Sequence, residues 1–250
     1  MTALRAASGV SVAGSRSSLL ALADVHTYIA GSHILQGVSL DVTEGETTVL
    51  LGRNGAGKST TLRTIMGILP PARGSITLGE VKLDGKPPYF VARQGIGFVP
   101  EDRDVFVSLT VEENLKLAQR AGVSRGAAGI EHVYSLFSDL RVARGRSAGA
   151  MSGGQQQMLA IARAMVNRNR VILIDEPTKG LAPVIVQELQ SIFRSLRDEG
   201  ETILLVEQNL EFAQAVGHRF FVLDEGRIVH GGPMDELARD SELLRRYIGV

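Results

Sequence analysis

Residues 52–59 read Gly-Arg-Asn-Gly-Ala-Gly-Lys-Ser and fit the pattern G-x-x-x-x-G-K-[ST]. They follow the short apolar run TTVLLG, which begins at Thr47 and is typical of a buried strand. They open a helical pattern that reaches Leu69 before two prolines. Gly55 and Gly57 let backbone N–H groups approach an anion closely, and the start of the next helix adds a positive dipole end. The stretch therefore predicts a phosphate-binding loop between a strand and a helix.

The polar groups of this loop have separate expected tasks. Lys58 is expected to reach the β- and γ-phosphates of a nucleotide and to take part in catalysis, and the Ser59 hydroxyl is expected to ligate Mg²⁺. A glycine-rich turn that matches by chance is the alternative, but the strand before the loop and the helix after it favour phosphate binding. The predicted nucleotide contacts of the loop are Gly52, Arg53, Asn54, Gly55, Ala56, Gly57, Lys58, Ser59 and Thr60.

A second apolar run, at 171–174, ends in the adjacent carboxylates Asp175 and Glu176. Ligands of open α/β sheets bind outside the carboxyl ends of the strands, so these charges are expected near the phosphate loop. Asp175 is the predicted Mg²⁺ partner, and Glu176 is predicted to orient or deprotonate the attacking water. Adjacent acids after a strand also occur in solvated turns, but the phosphate loop in the same chain favours the catalytic interpretation.

The rest of the chain supplies the frame. Residues 75–86 alternate apolar and polar side chains and include an Asp-Gly turn, which predicts antiparallel strands. Residues 110–146 are predicted to be helical, with capping-box spacing between Thr110 and Glu113, and residues 141–150 are predicted to form a linker. Helices and strands then alternate, which indicates an α/β core with a parallel sheet.

A third glycine-containing segment, Ser152-Gly153-Gly154-Gln155, stands at the start of another predicted helix. Ser152 and Gln155 have the spacing of an N-terminal cap, and the two glycines make this helix start a further anion site. Together with the motifs above, the segment resembles the signature of ABC ATPases, and the resemblance extends over residues 19–250.

The resemblance implies a P-loop NTPase core of the ABC ATPase type, with an antiparallel β subdomain and a helical subdomain at about residues 102–150. It implies that two such domains associate head to tail and bind ATP with Mg²⁺ between them. Ser152, Gly153, Gly154 and Gln155 would then contact nucleotide that the partner domain holds. Tyr28 matches the aromatic residue that stacks on adenine in the family, although a lone tyrosine can equally be a packing residue.

Two departures from the common family pattern narrow the subfamily. Glu101 stands where most members have Gln, and Gln208 stands where most have His. With the segments VPED, EPTKGLAP and VEQN, they resemble the ATP-binding subunits of branched-chain amino-acid importers and of the related urea and short-amide importers. The resemblance implies that Glu101 ligates Mg²⁺ and that Gln208 donates to the γ-phosphate.

The implied partners are a second ATPase subunit, different or identical, and two transmembrane permease subunits. A periplasmic or extracellular solute-binding protein would act indirectly. The implied location is the cytoplasmic face of the membrane.

Lys plus Arg and Asp plus Glu each number 27, so net charge gives no support for nucleic-acid binding. A soluble ABC ATPase acting on ribosomes or DNA and a nucleotide-binding regulatory module are the alternatives. Residues 1–18 are expected to be a disordered leader, and the C-terminal stretch from 233 a terminal amphipathic helix.

Overall fold

Two β-sheets organise the chain in the computed structural model, which describes residues 18–119 and 129–237. The strands are β1 (Ser18–Ile29), β2 (Ser32–Thr43), β3 (Thr47–Leu51), β4 (Arg73–Leu78), β5 (Val81–Lys82), β6 (Ile96–Val99), β7 (Val171–Asp175), β8 (Ile203–Val206), β9 (Arg219–Asp224) and β10 (Arg227–Pro233). The helices are α1 (Lys58–Ile65), α2 (Pro88–Arg93), α3 (Val111–Ala118), α4 (Gly129–Leu136), α5 (Ser138–Val142), α6 (Gly153–Met165), α7 (Pro183–Asp198), α8 (Leu210–Val216) and α9 (Met234–Leu237).

The larger sheet has six strands in the order β10-β9-β3-β8-β7-β6. Its strands are parallel except for the pair of β9 with β10. Strand β7 is buried throughout, because alternate side chains enter two different cores. Ile172 and Ile174 pack among α6, α7 and α8, whereas Val171 and Leu173 face the core shared with the smaller sheet.

The smaller sheet is antiparallel, with the order β2-β1-β4-β5. Apolar side chains of β1, β2 and β4 share one core with Leu62 and Ile65 of α1. Helix α1 therefore lies between the two sheets. Its N-terminus follows the carboxyl end of β3, and the carboxyl ends of the parallel strands β8 and β7 lie at the same edge of the sheet. This placement brings the phosphate loop and the strand-end carboxylates to one edge.

Helix α1 ends earlier than the sequence predicts. The expected end was Leu69, whereas the helix stops at Ile65 because Gly67 adopts a left-handed φ of 71°. The N–H of Ile68 donates to the carbonyl of Arg63 at 3.0 Å, and that of Gly67 donates to the carbonyl of Thr64 at 3.1 Å. This is a Schellman ending, which satisfies the last carbonyls before the two prolines are reached.

The segment predicted to be a linker, 141–150, is instead tied to its surroundings. It contains the end of α5 and a short 3-10 turn at Ala148–Ala150. Backbone N–H groups of Val111 and Ala148 donate to Arg146 and Leu109 at 3.0 and 2.9 Å, so this segment pairs with the start of α3.

Three expectations fall wholly or partly outside the described residues: residues 1–17 of the leader, the helical stretch 120–128, and the terminal helix beyond residue 237. Ser18, which the sequence assigned to the leader, is instead the first residue of β1. Within the described ranges, no helix is both long and apolar enough to cross a bilayer.

Candidate active site

The phosphate loop is shaped by contacts with its own lysine and with the neighbouring strand. Lys58 is only 5% exposed. Its Nζ turns back over the loop and donates to the carbonyls of Gly52 at 2.9 Å and Arg53 at 3.2 Å. Gly52 has a φ of 150°, and a Cβ at this position would lie 2.2 Å from the carbonyl oxygen of Leu223 on β9. Only glycine fits at residue 52, because any side chain would collide with that strand.

The start of α1 has no side-chain cap. Gly57 is the N-cap residue, with a left-handed φ of 109°, and no side chain accepts from the first turn. The first N–H groups of a helix have no acceptor within the helix, and they carry the positive end of its dipole. The loop therefore combines uncapped backbone donors with a lysine, and these are the groups that a phosphate site requires.

Asp175 is the last residue of β7, and Glu176 comes directly after it. Asp175 is buried, and its pKa is raised to about 6. Burial is the main cause, and the negative charges of Glu176 and Glu101 add to it, whereas a hydrogen bond with Ser59 acts in the opposite direction. One oxygen of Asp175, Oδ1, is buried without a hydrogen-bond partner among the described residues.

Glu101, Asp175 and Glu176 form a carboxylate cluster, and Glu176 makes three side-chain contacts within the site. Its backbone has a left-handed φ of 44°, which is unusual for a side chain of this size. Its Oε1 lies 3.3 Å from Nζ of Lys58 and accepts from Nε2 of Gln208 at 2.5 Å. Its Oε2 lies 3.6 Å from Nζ of Lys179. The predicted general base thus contacts the phosphate-loop lysine directly, and the predicted catalytic Gln208 lies against it.

Gln208 also reaches the phosphate loop, because its Nε2 lies 2.6 Å from Oδ1 of Asn54. Its backbone is fixed by Glu207, which is 1% exposed and accepts from the N–H groups of Gln208 and Asn209 at 2.8 Å each. Glu207 further accepts from the hydroxyl of Thr178 at 2.6 Å. Burial raises the pKa of Glu207, and these hydrogen bonds partly offset that effect. The segment VEQN contains Glu207, but the sequence assigned this residue no role, because a lone acid after a strand does not reveal its partners.

Glu101 joins the cluster through a partner that the sequence analysis did not name. Its Oε1 lies 2.5 Å from Nζ of Lys179, which also faces Glu176. Lys179 follows the carboxylate pair by three residues, but a pattern search finds no reason to connect it with residue 101. The pairing becomes visible only once β6 and β7 are neighbours.

The residues predicted to hold Mg²⁺ fit that ion chemically. Mg²⁺ prefers oxygen ligands and usually keeps waters, with one or two carboxylates and substrate phosphates completing its shell. The structure brings the hydroxyl of Ser59 to Asp175, and the unpartnered Oδ1 of that side chain offers a further oxygen. The described residues contain no cluster of three histidine or acidic side chains that could hold a metal without a substrate.

The Ser-Gly-Gly-Gln segment starts α6 as a capping box. The hydroxyl of Ser152 accepts from the N–H of Gln155 at 3.3 Å, and Oε1 of Gln155 accepts from the N–H of Ser152 at 3.1 Å. A Cβ at Gly153 would lie 2.7 Å from a guanidinium nitrogen of Arg103, and one at Gly154 would lie 2.9 Å from Ile185. Gly154 therefore has a packing role against Ile185 in addition to its predicted nucleotide role, whereas at Gly153 the flexible end of Arg103 is free to move aside.

Tyr28 lies near the end of β1, where the pairing with β2 is irregular between Thr27 and Tyr28. The neighbouring Thr27 is buried, and its hydroxyl lies 3.2 Å from that of Thr64 on α1. Tyr28 is half-exposed, and its ring stacks on that of His33 with centroids 4.3 Å apart. Its role in adenine stacking stays a prediction.

A loop lysine that faces a strand-end carboxylate pair is the arrangement with which P-loop proteins bind and hydrolyse nucleoside triphosphates. The comparisons with known proteins place the chain within that class. The ABC transporter family profile matches residues 35–179, and the chain belongs to this family. It is accordingly an ATPase of the ABC type.

Three relatives show which transport ATP-binding proteins the chain is similar to. The chain is 40% identical to the high-affinity branched-chain amino acid transport ATP-binding protein BraG of Pseudomonas aeruginosa, over 92% of this chain and 100% of the relative. It is 35% identical to a probable branched-chain amino acid transport ATP-binding protein, LivF, of Archaeoglobus fulgidus, over 87% and 93%. It is 32% identical to the lipopolysaccharide export system ATP-binding protein LptB of Escherichia coli, over 88% and 92%.

Solved structures agree on the fold. A dimeric ATP-binding cassette in a post-hydrolysis state, bound to ADP and Pi, superposes with a TM-score of 0.75 at 27% identity, over 86% of this chain and 98% of that one. A nucleotide-free cassette superposes with a TM-score of 0.78 at 24% identity, over 91% and 98%, and supports the fold alone.

Proposed function

We propose that the chain is the ATP-hydrolysing subunit of an importer for branched-chain amino acids, acting at the cytoplasmic face of the membrane. The observation that carries the ATPase part is the contact of Glu176 with both Lys58 and Gln208. The observation that favours the solute is the 40% identity with BraG along that protein's whole length.

The chemistry follows from the positions of the side chains. Lys58 is poised to exchange its contact with Glu176 for the β- and γ-phosphates, which would leave this carboxylate free to accept a proton from water. The amide of Gln208 would donate to the γ-phosphate while remaining near Asn54. Ser59, Asp175 and Glu101 would hold Mg²⁺, which neutralises phosphate charge when it is bound.

A second ATPase subunit would complete each site. The cap of Ser152 is exposed, so the start of α6 can meet nucleotide held by a partner, either a different ATPase or a second copy. The hydroxyl of Ser152 still has its proton to donate after accepting from Gln155. The uncapped N–H groups of α6 would add the positive end of that helix.

The permease subunits would dock beside α6. A cleft of about 410 Å³ there is lined in part by Ile68, Pro100, Arg103 and Arg163. The neighbouring Phe106 is 45% exposed, and the guanidinium of Arg163 lies 4.6 Å from its ring centroid. The guanidinium of Arg103 also lies beside Gly153, so movement of a permease segment in this cleft would shift Arg103 against the Ser-Gly-Gly-Gln segment.

The test is ATP turnover by the purified chain, alone and reconstituted in proteoliposomes with the permease subunits, second ATPase and solute-binding protein encoded beside it. We expect strong ATP turnover only in the reconstituted proteoliposomes, together with uptake of leucine, isoleucine and valine. Glu176→Gln should lower both turnover and uptake about 100-fold or more. Uptake of urea or short amides instead would change the solute, and lipopolysaccharide extraction would reverse the direction. Strong turnover of the chain alone, unaffected by the permeases, would favour a soluble ATPase. Nucleotide binding without turnover in the assembly would favour a regulatory module.

A further inference from the structure

Lys179 is a second lysine at the carboxylate cluster, and the reaction described above does not use it. Its Nζ lies 2.5 Å from Oε1 of Glu101 and 3.6 Å from Oε2 of Glu176. It therefore bridges two acids that belong to different strand ends. Its own N–H donates to the carbonyl of Glu176 at 3.2 Å, so a tight turn keeps the ammonium group close to the cluster.

The cluster needs such a cation. Glu101, Asp175 and Glu176 repel one another. Among the described residues, Lys58 and Lys179 form ion pairs with Glu176 and Glu101, and Arg63 exerts a weaker attraction on Asp175. The two lysines differ in accessibility, since the side chain of Lys58 is 4% exposed and that of Lys179 is 54% exposed. Lys58 is held by loop carbonyls, whereas Lys179 can swing into solvent on its flexible stem.

We propose that Lys179 is an internal cation that Mg²⁺ displaces from Glu101 and Glu176 as ATP binds. Lys179 thereby sets the Mg²⁺ concentration that nucleotide binding requires, and it restrains Glu176 until the metal arrives. The inference rests on the proposed role of Glu101 as a metal ligand. Lys179 is a positioning residue, because it acts through the two carboxylates and not on the reacting atoms.

The competition follows from charge. A carboxylate that is paired with an ammonium group has already gained the Coulomb attraction that a metal ion would offer it, so the metal must replace that pair. An incoming divalent cation offers each carboxylate more attraction than a lysine does, and the released ammonium group regains its hydration. Lys179 therefore weakens metal binding without preventing it.

The test is a titration of the full-length chain with Mn²⁺ in the presence of a non-hydrolysable ATP analogue, followed by the electron paramagnetic resonance signal of free Mn²⁺. Lys179→Met removes the charge at similar length. We expect the half-saturating Mn²⁺ concentration to fall about fivefold, the upper end of what an exposed ion pair contributes. Lys179→Arg keeps the charge and should leave the curve near that of the native chain. Lys116→Met, which breaks the exposed pair with Glu112 on α3, is the matched control and should change nothing.

Glu101→Gln distinguishes the competition between Lys179 and the metal from the role of Glu101 as a metal ligand. If Glu101 ligates the metal, this variant should need more Mn²⁺, and adding Lys179→Met to it should give much less than the fivefold shift. An unchanged curve for Lys179→Met, with a shifted curve for Glu101→Gln, overturns the competition but keeps the metal role of Glu101. If Glu101→Gln leaves the curve unchanged, the metal role is wrong and the inference falls with it.

Discussion

Two helix starts carry the glycines that the sequence analysis connects with nucleotide, those of α1 and α6, and they are built in opposite ways. At α1, Gly57 caps the helix with backbone alone, and the first-turn donors have no side-chain acceptor. At α6, Ser152 and Gln155 satisfy each other's backbone N–H groups in a capping box. The first start can hold its shape only through the surrounding loop and Lys58, whereas the second carries its own cap.

Their electrostatic surroundings differ as well. Glu176 and Asp175 lie beside the first start, and the buried ammonium of Lys58 lies over it. The second start has a neutral cap on an exposed edge, with Arg103 packed on Gly153. Charge changes should therefore alter catalysis and affinity at α1, while changes at α6 should alter helix stability in the chain alone.

The largest effect is expected for Glu176→Gln. Removing the carboxylate while keeping its shape should lower ATP turnover of the assembled transporter about 100-fold or more, the range of general-base catalysis. Nucleotide binding should survive, because Lys58 remains. Glu211→Gln, an exposed acid on the nearby helix α8, is the control and should retain turnover. Full activity of Glu176→Gln would show that this carboxylate is not the base.

Lys58→Ala tests the charge over the first helix start by a different measurement. The loss of a charge-assisted contact to phosphate should weaken ATP binding by about 10- to 100-fold. Equilibrium binding of a fluorescent ATP analogue by the purified chain measures this. Lys116→Ala changes an exposed lysine on α3 and should bind normally. Equal affinities of the two variants would remove the phosphate role of Lys58.

Asp175→Asn should stabilise the chain, although it removes a predicted metal ligand. Ionised Asp175 is disfavoured by burial, so its folded-state pKa of about 6 lies above the ordinary value of 3.8. This penalty is absent below the ordinary pKa, grows as pH rises from about 4 to 6, and is complete above that range. The free energy of unfolding should increase by about 3 kcal/mol at pH 7.5, and the gain should shrink as pH falls from 6 toward 4. Urea unfolding without nucleotide or Mg²⁺ measures it, and a gain independent of pH would contradict the cause.

Ser152→Ala should have the smallest effect and should act on stability. Losing the N-cap of α6 should lower the free energy of unfolding by about 1 kcal/mol, while Ser152→Thr should keep most of it. ATP affinity of the isolated chain should not change, because the segment is proposed to contact the partner's nucleotide. A weakened affinity in the isolated chain would mean that both helix starts serve the same nucleotide.

Local patterns predicted much of the site. The phosphate loop, the acids after β7 and the capping boxes at Thr110 and Ser152 each lie within a few consecutive residues, so composition and spacing were enough to find them. The bounds were less accurate. The end of α1 depends on Gly67, which is left-handed and where a Cβ would lie 2.1 Å from the carbonyl oxygen of Lys86, a distant contact that local sequence does not reveal.

Long-range partners could not be predicted in this way. Lys179 meets Glu101, and Gln208 meets Asn54, across separations of 78 and 154 residues. Strand order decides both contacts, and periodicity does not reveal strand order. Tyr28 shows a further difficulty, since the irregular pairing of β1 with β2 at Thr27 and Tyr28 interrupts the alternation from which the face of a strand residue is predicted.

The turn of Lys58 over its own loop has a consequence for the kinetics of binding. The carbonyls of Gly52 and Arg53 accept from the lysine, and the carbonyl of Ala56 accepts from the N–H of Gly226 at 2.9 Å, so hydrogen bonds within the protein itself hold the backbone of the loop. If the loop keeps these backbone bonds when nucleotide binds, and only the lysine changes partners, little conformational entropy is lost on association. We therefore expect differences in affinity among loop variants to arise mainly from how fast the nucleotide leaves.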